Sequence, residues 1–315
     1  MKILFAGTPE IAVPTLELLK QNHDIVGVLT NPDRLQGRGR KFSESPVKQK
    51  ARELDLPVYQ PEKLDQAFRD QISRLKPNLL VAVAYGKIFS RKFLDLFPGG
   101  GVNLHPSLLP RYRGPSPINA AILNGDKETG VTIQKLALEM DAGDILAQQI
   151  YLMKGDETTG DLTRYLGDAG AALLADVLER LEKNIVQPVP QDPDKVSFCR
   201  LIDKEAGLID WNESASYIER QIRAYDPWPG TFTFFEGKKL NILKARVYGE
   251  ADTAEEVKDP GEVVALKKKT GILIQTGEGL LAVQMLQLQS KKAMDFLSFC
   301  NGTRNFIGAR LGGNE

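Results

Sequence analysis

The chain has 315 residues, which is enough for one large domain and a second, smaller one. With 42% hydrophobic and 26% charged residues, the composition is typical of a globular protein and argues against a disordered or fibrous chain. Since 41 basic residues balance 41 acidic ones, binding to nucleic acid or to a membrane has to depend on a local patch of charge.

Residues 1–187 predict alternating strands and helices. Apolar runs of strand length are separated by amphipathic segments, and the runs lack the polar alternation of a half-exposed strand. Strands that are buried on both faces and separated by helices predict a doubly wound, Rossmann-like α/β domain with a mostly parallel sheet. The predicted strands lie at 2–6, 24–30, 78–84 and 100–105, and helices are predicted at 63–76 and at about 159–183.

After residue 187 the pattern changes. The stretch 187–195 has three prolines in nine residues and predicts a stiff, extended linker, which we place at 188–206. A short helix around 214–225 and about five short strands follow, with glycine-containing turns between the strands. These elements predict a smaller, OB-like β-barrel domain at 207–315, an architecture that often binds oligonucleotides.

The cellular setting is indicated by what the sequence lacks. The first residues do not form a signal peptide, and no apolar run reaches the roughly 18 residues that indicate a membrane span. Cys199 and Cys300 are solitary and have no clustered histidines beside them, so we expect neither a disulfide framework nor a metal site. We therefore expect a cytoplasmic protein without a membrane partner, and a monomer is the expected state.

One of only two histidines lies in the proline-rich stretch NLHPSLLPRYRGPSP, residues 103–117. Asn103 and His105 are two residues apart at the end of a predicted central strand, so their side chains share one face. The carboxyl end of such a strand opens onto the crevice where α/β sheets bind ligands. An amide and an imidazole there are suited to oxyanion stabilisation or proton transfer. The alternative is a capping asparagine and a loop histidine without a catalytic role.

A catalytic histidine is usually oriented by a carboxylate, and the stretch LEMDAGDIL, residues 138–146, offers two. Asp141 and Asp144 lie on either side of a glycine turn, after the strand-like segment GVTIQKL. Either aspartate is a candidate partner for His105, and either one could instead only stabilise the turn. The residues alone leave this choice open.

These motifs resemble the folate-dependent formyltransferases. NLHPSLLPRYRG and DAGDIL match the family's pattern of Asn-x-His, then Pro or Gly, then Ser-Leu-Leu-Pro, with a later Asp. The stretches FAGTPE, NPDRLQGRGRK, VAYGKI, IDWN and IRAYDPWPGTF extend the resemblance over essentially the full chain. The arginine-rich stretch and the long carboxyl-terminal match are similar to the branch of the family that acts on aminoacylated tRNA.

The resemblance implies an enzyme that uses 10-formyltetrahydrofolate as co-substrate and formyl donor, without a metal ion. The implied acceptor is the α-amine of methionine on initiator methionyl-tRNA. Asn103, His105 and Asp141 match the family's catalytic trio. The implied folate-binding residues are Ser107, Leu108, Leu109 and Pro110, with Tyr85, Gly86 and Ile88 at the pterin pocket.

The resemblance also implies a role for a basic segment. Residues 31–52 contain seven basic and two acidic residues, a net charge of +5, although such a run is usually only a solvated face. Arg38 matches the family's loop arginine, which reaches the tRNA acceptor stem. We expect tRNA contacts from Arg34, Arg38, Arg40 and Lys41 in this segment. From their charge, Lys267, Lys268 and Lys269, with Lys291 and Lys292, are expected to form a second phosphate track on the predicted barrel.

Two rival interpretations are compatible with these residues. Formyl transfer to an amino sugar or to glycinamide ribonucleotide, or hydrolysis of the formyl folate, would use the same trio without needing the basic segment 31–52. A non-enzymatic RNA-binding protein built on the barrel would leave Asn103, His105 and Asp141 unexplained. Folate binding distinguishes the second interpretation from the enzymatic ones.

Overall fold

The computed structural model describes residues 1–36, 41–249 and 258–312. Contacts between residues divide this part of the chain into two units, each with a hydrophobic core. The first unit comprises Met1–Ile118, Glu128–Met153 and Asp161–Leu201, and the second comprises Asn119–Lys127, Lys154–Gly160 and the described residues from Ile202 onward.

One β-sheet organises the first unit. The strands of this unit are β1 (Lys2–Gly7), β2 (Asp24–Leu29), β3 (Arg34–Gln36), β4 (Lys41–Ser43), β5 (Val58–Tyr59), β6 (Leu79–Val83), β7 (Gly101–His105), β8 (Glu128–Lys135) and β9 (Ile145–Leu152). Apart from β3 and β4, which pair only with each other, they form a sheet in the order β5-β2-β1-β6-β7-β8-β9. The pairs from β5 to β7 are parallel, whereas β8 and β9 are antiparallel to their neighbours. The predicted Rossmann-like, mostly parallel sheet is confirmed.

Helices alternate with the strands, as the sequence predicts. The helices are α1 (Val13–Asn22), α2 (Pro46–Glu53), α3 (Gln66–Leu75), α4 (Arg91–Leu94), α5 (Pro117–Asn124), α6 (Thr159–Glu182), α7 (Ala215–Ala224) and α8 (Phe296–Gly302). Four of these begin at side-chain caps, which accept from backbone N–H groups of the first turn: Ser45 for α2, Asp65 for α3, Ser214 for α7 and Asp295 for α8. Among the residues that the structure describes, no helix combines the length and the hydrophobicity needed to cross a membrane.

Strand β9 is not predicted from the sequence. Gln148 and Gln149 interrupt its apolar run, and it is the last strand of the sheet. Ile150 and Leu152 on this strand are 59% and 72% exposed. Because an edge strand needs no continuous apolar run, the pattern that identifies the central strands does not identify this one.

The segment after α6 is held against the first unit by backbone hydrogen bonds. Ile145, the first residue of β9, donates its N–H to Val189 O at 2.8 Å, and Val189 N donates to Ile145 O at 2.9 Å. Arg113 N donates to Ser197 O at 2.9 Å. The contacts therefore group residues 188–201, which the sequence assigns to a linker, with the first unit. A proline-rich segment can pair in this way because its non-proline residues keep their N–H groups.

The second unit is an antiparallel sheet with helices packed on it. Its strands are β10 (Thr231–Phe235), β11 (Lys238–Tyr248), β12 (Val263–Lys267), β13 (Gly271–Gln275), β14 (Leu280–Leu288) and β15 (Met294–Asp295). They pair in the order β10-β11-β14-β13-β12, and β15 pairs with β14. Ile218 and Ile222 of α7 and Phe299 of α8 lie in the core of this unit.

The segment 308–312 contacts both outer strands of this sheet. Gly308 N donates to Val263 O in β12 at 2.8 Å. Gly312 N donates to Phe234 O in β10 at 3.0 Å. The segment therefore lies between β12 and β10, the two ends of the strand order.

Candidate active site

The predicted catalytic residues meet at the ends of β7 and β8. Asn103 and His105 are alternate residues of β7 and therefore point to the same face. In the antiparallel pairing of β7 with β8, Asn103 lies opposite Gln134 and His105 lies opposite Thr132. The loop that follows β8 then brings Asp141 back to this end of the sheet.

Asp141 is the carboxylate that joins these residues. Its Oδ1 lies 3.4 Å from Asn103 Nδ2 and 3.6 Å from His105 Nδ1. Gln134 Nε2 donates to the same oxygen at 3.1 Å, and Gly114 N donates to Oδ2 at 2.9 Å. Because both oxygens have donors, the carboxylate is fixed beside Asn103 and His105.

His105 is only 4% exposed, and both of its ring nitrogens face oxygen acceptors. Nε2 lies 2.9 Å from Tyr112 O, and since a carbonyl oxygen only accepts, Nε2 carries a proton and donates it. Nδ1 faces Asp141 Oδ1, so a second proton on the ring would lie between the imidazole and that carboxylate. The two side chains are thus adjacent, at a separation longer than a hydrogen bond.

Asp144, the other aspartate of the predicted turn, lies apart from the trio. Its Oδ2 forms an ion pair with Lys135 Nζ at 3.2 Å, and its side chain is 39% exposed. Of the two candidate aspartates, Asp141 is the one that lies beside His105. The residue types alone leave this choice open, the resemblance implies Asp141, and the path of the loop after β8 places Asp141 beside His105.

A cavity of about 600 Å³ opens beside Asn103, His105 and Asp141, and all three line it. This volume is in the range of small-molecule sites, and most of the wall is apolar. In the part of the chain that the structure describes, no group of three or more His, Cys, Asp or Glu side chains is placed to hold a metal ion. The lining includes Tyr85, Gly86 and Ile88 from the predicted pterin pocket and Leu138, Met140 and Leu201.

Tyr85 forms a nearly buried part of the cavity wall, with 3% of the residue exposed. It begins a row of aromatic rings, Tyr85, Phe89, Phe93 and Phe97, whose neighbouring centroids are 5.5, 5.3 and 5.6 Å apart. Burial raises the pKa of Tyr85 to about 12. Among the described residues its hydroxyl has no hydrogen-bond partner.

The turn at Tyr85 and Gly86 is held by a small polar network. Asn31 Nδ2 donates to Tyr85 O at 2.8 Å and to Thr8 Oγ1 at 3.1 Å. Gly86 has a φ of +83°, a conformation that a residue with a Cβ rarely adopts. The wall of the cavity therefore depends on Thr8 and Asn31, which lie just after the first two parallel strands, β1 and β2.

The predicted folate-binding segment, residues 107–110, makes contacts within the first unit. Ser107 Oγ donates to Arg111 O at 2.7 Å. Thr132 Oγ1 donates to Ser107 O at 2.7 Å and accepts from Leu109 N at 3.1 Å. None of the four residues, all of which the structure describes, lines the cavity, so their contact with folate stays a prediction.

The basic segment 31–52 has fewer available cations than its composition indicates. Lys48 Nζ lies 2.5 Å from Asp33 Oδ2 and 3.1 Å from Glu44 Oε1. The hydrogen bond to Asp33 raises the pKa of Lys48, and the same bond, with one from Gln60, lowers the pKa of Asp33. Ion pairs also join Arg52 to Glu44 and Lys50 to Glu17 and Glu53.

The structure describes the backbone of two of the four tRNA contacts implied in this segment. Arg34 and Lys41 lie in the β3–β4 pair, where Arg34 is opposite Ser43. Arg38 and Arg40 lie outside the described residues.

The lysines of the second unit lie at two turns. Lys268 and Lys269 are exposed between β12 and β13, and Lys267 is half-buried at the end of β12. Lys291 and Lys292 are exposed between β14 and β15. Their role with tRNA stays a prediction.

Three residues that contact the Asp141 loop are not predicted from the sequence. Gln134 donates to the Asp141 carboxylate, Gln191 donates to Asp141 O at 2.7 Å, and Arg113 donates to Gln191. Gln134 is the one of the three that lies in a strand, where it follows the buried run 131–133 and is itself only 2% exposed. The other two lie in loops where polar residues are ordinary.

Comparison with known proteins gives a consistent result over the whole chain. Residues 1–178 match the formyl transferase family, and residues 201–304 match the C-terminal domain of formyl transferases. Two relatives named methionyl-tRNA formyltransferase are 46% identical over 98% of both chains (Treponema denticola) and 43% identical over 99% of both chains (Roseiflexus castenholzii). The fold is also similar to that of a solved N-formyltransferase from Helicobacter canadensis, with a TM-score of 0.65 and 21% identity over 93% of this chain and all of that one.

Proposed function

This chain belongs to the formyl transferase family, and from that membership we propose that it formylates the α-amine of methionine on initiator methionyl-tRNA with 10-formyltetrahydrofolate. The observation that carries the proposal is the convergence of Asn103, His105 and Asp141 on one largely apolar cavity. The relatives that cover the chain almost completely are named for this reaction. The role belongs to translation initiation and agrees with the expected cytoplasmic location.

The cavity suits a folate in three respects. Its volume of about 600 Å³ is in the range for an organic co-substrate, and its apolar wall suits an aromatic ring system. The pterin-pocket residues Tyr85, Gly86 and Ile88 lie in the same lining as the catalytic trio.

The side chains of the trio have complementary roles in the transfer. The folate supplies the formyl group, and the neutral amine of the acceptor attacks its carbon. Asn103 Nδ2 donates to the oxygen, on which negative charge develops. Asp141 accepts the proton that the amine loses, directly or through water, and the folate nitrogen gains a proton as its bond to the formyl carbon breaks. His105, whose Nδ1 faces Asp141, stabilises the charge and can share that proton.

We propose that the basic segment and the second unit hold the tRNA. The predicted contacts in the segment are Arg34, Arg38, Arg40 and Lys41, and Arg38 reaches the acceptor stem. Lys48, Lys50 and Arg52 of the same segment are already engaged in ion pairs with carboxylates. On the second unit the contacts are Lys267, Lys268 and Lys269.

We also propose that the second unit is an OB-like barrel. The sheet order begins at β10 and ends at β12, and the segment 308–312 donates hydrogen bonds to both of these strands. A sheet whose ends are joined by such a segment has no free edge there. This arrangement supports closure of the sheet into a barrel.

A formyl-transfer assay tests the proposed function. Purified protein and 10-formyltetrahydrofolate are incubated with Met-charged initiator tRNA, with Met-charged elongator tRNA or without an acceptor. Rapid formylation confined to the initiator is the expected result. Release of tetrahydrofolate without dependence on tRNA would instead favour a hydrolase or a small-amine acceptor, and RNA binding without folate binding would favour the non-enzymatic alternative.

A further inference from the structure

Gln191 lies in the segment after α6, and its side chain reaches the loop that carries Asp141. Its Nε2 donates to Asp141 O at 2.7 Å and to Gly143 O at 2.8 Å, and lies 3.3 Å from Gln134 Oε1. Its Oε1 accepts from Arg113 Nε at 3.0 Å and from Nη2 at 2.8 Å. Both ends of the amide are therefore occupied.

The chemistry of the partners fixes the orientation of this amide. Backbone carbonyls only accept hydrogen bonds, and the guanidinium of Arg113 only donates them. The NH₂ end of Gln191 must therefore face Asp141 and Gly143, and its oxygen must face Arg113. A glutamate at this position would keep the contact with Arg113 and lose the contacts with the two carbonyls.

The backbone that Gln191 holds is in an unfavourable conformation. Asp141 has a φ of +52°, in the left-handed region that non-glycine residues rarely occupy. A side chain at Gly143 would collide with the carbonyl oxygen of Lys135, so the loop lies directly against β8. Donors to the carbonyls of Asp141 and Gly143 stabilise this path of the chain.

The same network reaches the carboxylate by two routes. Gln191 contacts Gln134 Oε1, and Gln134 Nε2 donates to Asp141 Oδ1 at 3.1 Å. Arg113 holds Gln191, and the next residue, Gly114, donates its N–H to Asp141 Oδ2 at 2.9 Å. Asp141 is therefore held at its backbone and at both carboxylate oxygens by one connected set of groups.

We propose that Gln191 is a positioning residue, which together with Gln134 fixes Asp141 for proton transfer. The segment after α6 is then part of the catalytic apparatus and not only a connection between domains. This inference rests on the proposed function, because it assigns the orientation of Asp141 to the formyl-transfer step. Gln191 itself is not among the residues that line the cavity.

The variant Gln191→Glu distinguishes a role in positioning Asp141 from a role that only attaches the segment after α6 to Arg113. It keeps an acceptor for Arg113 and cannot donate to Asp141 O or Gly143 O. We expect kcat for formylation to fall by about 10- to 100-fold, because small displacements of a catalytic group cost this much, while KM for folate and for tRNA stays unchanged. Gln187→Glu is the matched control, since Gln187 is exposed in the same segment and the charge change is identical.

Hydrogen exchange gives a second readout that does not depend on the reaction. We expect faster exchange of the backbone amides in 139–146 in Gln191→Glu and wild-type exchange in Gln187→Glu. The variant Gln134→Met removes the donor to Asp141 Oδ1 and the contact with Gln191 Nε2 but keeps the hydrogen bonds of Gln191 to Asp141 O, Gly143 O and Arg113, and we expect the same loss of kcat at unchanged KM. It provides the kinetic test if Gln191→Glu does not fold.

The outcomes of the two readouts are distinguishable. Wild-type kcat in Gln191→Glu, a fall in kcat matched by a rise in KM, or unchanged exchange in 139–146 would each overturn the positioning role. If the wild-type protein does not formylate methionyl-tRNA, the proposed function fails, and the exchange measurement still decides whether Gln191 holds the Asp141 loop.

Discussion

Replacing Asp141 with asparagine changes the charge of the trio with almost no change in shape. Oδ1 accepts a hydrogen bond from Gln134 at 3.1 Å, and Oδ2 accepts one from Gly114 N at 2.9 Å. Whichever way the new amide is oriented, its NH₂ group faces one of these donors. Asp141→Asn therefore loses the proton acceptor and at least one hydrogen bond.

The magnitudes of the two losses differ and can be measured separately. A positioned general base contributes about 10²- to 10⁴-fold to a rate, so we expect turnover of Asp141→Asn to fall by that factor. A hydrogen bond to a charged group contributes about 1.5–3 kcal/mol, so we expect the free energy of unfolding to fall by up to this amount. Folate binding should be nearly unchanged, because most of the cavity wall is apolar.

The assay compares three proteins for formylation of methionyl-tRNA, folate affinity and urea unfolding. Asp144→Asn is the control, because Asp144 makes an exposed ion pair with Lys135 whose loss costs about 0–1 kcal/mol. We expect wild-type turnover in this control. Near-normal turnover of Asp141→Asn, or a loss of folate binding that parallels the loss of turnover, would refute the assignment of the proton to Asp141.

Three further predictions test other parts of the molecule. Gly114→Ala should lower the free energy of unfolding by about 1–3 kcal/mol in thermal or urea denaturation, because Gly114 has a φ of +121° and its Cβ would collide with Cys199 O. The hydrogen bond from Lys48 lowers the pKa of Asp33 below its ordinary value of 3.8. The ionised Asp33 therefore makes its full contribution to the free energy of unfolding above pH 3.8, and this contribution is lost as the pH falls through the lowered pKa. The difference in unfolding free energy between wild type and Asp33→Asn should therefore be present at neutral pH and vanish in acid. Arg38→Ala should weaken action on methionyl-tRNA far more than folate binding, and equal effects on the two would contradict its role.

The sequence predicts the central strands of the sheet because strands that are buried on both faces are rich in apolar residues. Strands β1, β2 and β6 are mostly apolar runs, and β7 has the apolar residues Val102 and Leu104; the structure has all four strands. The two-residue spacing of Asn103 and His105 is likewise sufficient to predict that they share one face of β7. Exposed strands such as β9 lack a continuous apolar run.

The parts of the site that the sequence does not predict depend on long-range contacts between uncharged groups. Gln134 and Gln191 are 57 positions apart, and neither belongs to a motif with a known chemistry. The choice between Asp141 and Asp144 depends on the path of a loop whose backbone enters the left-handed region at Asp141. The extended segment after α6 is predicted from its prolines, but its pairing with Ile145 and Arg113 is set by the fold.

The hydrogen bonds of residues 308–312 have a consequence for any shortened form of the protein. These residues cover N–H and C=O groups that β12 and β10 would otherwise present to solvent. A chain that stops before residue 308 would keep every strand of the second unit, would lose the core residue Leu311, and would leave Val263 in β12 and Phe234 in β10 without these partners. Unpaired strand edges recruit strands from other molecules, so such a truncation should be prone to aggregation.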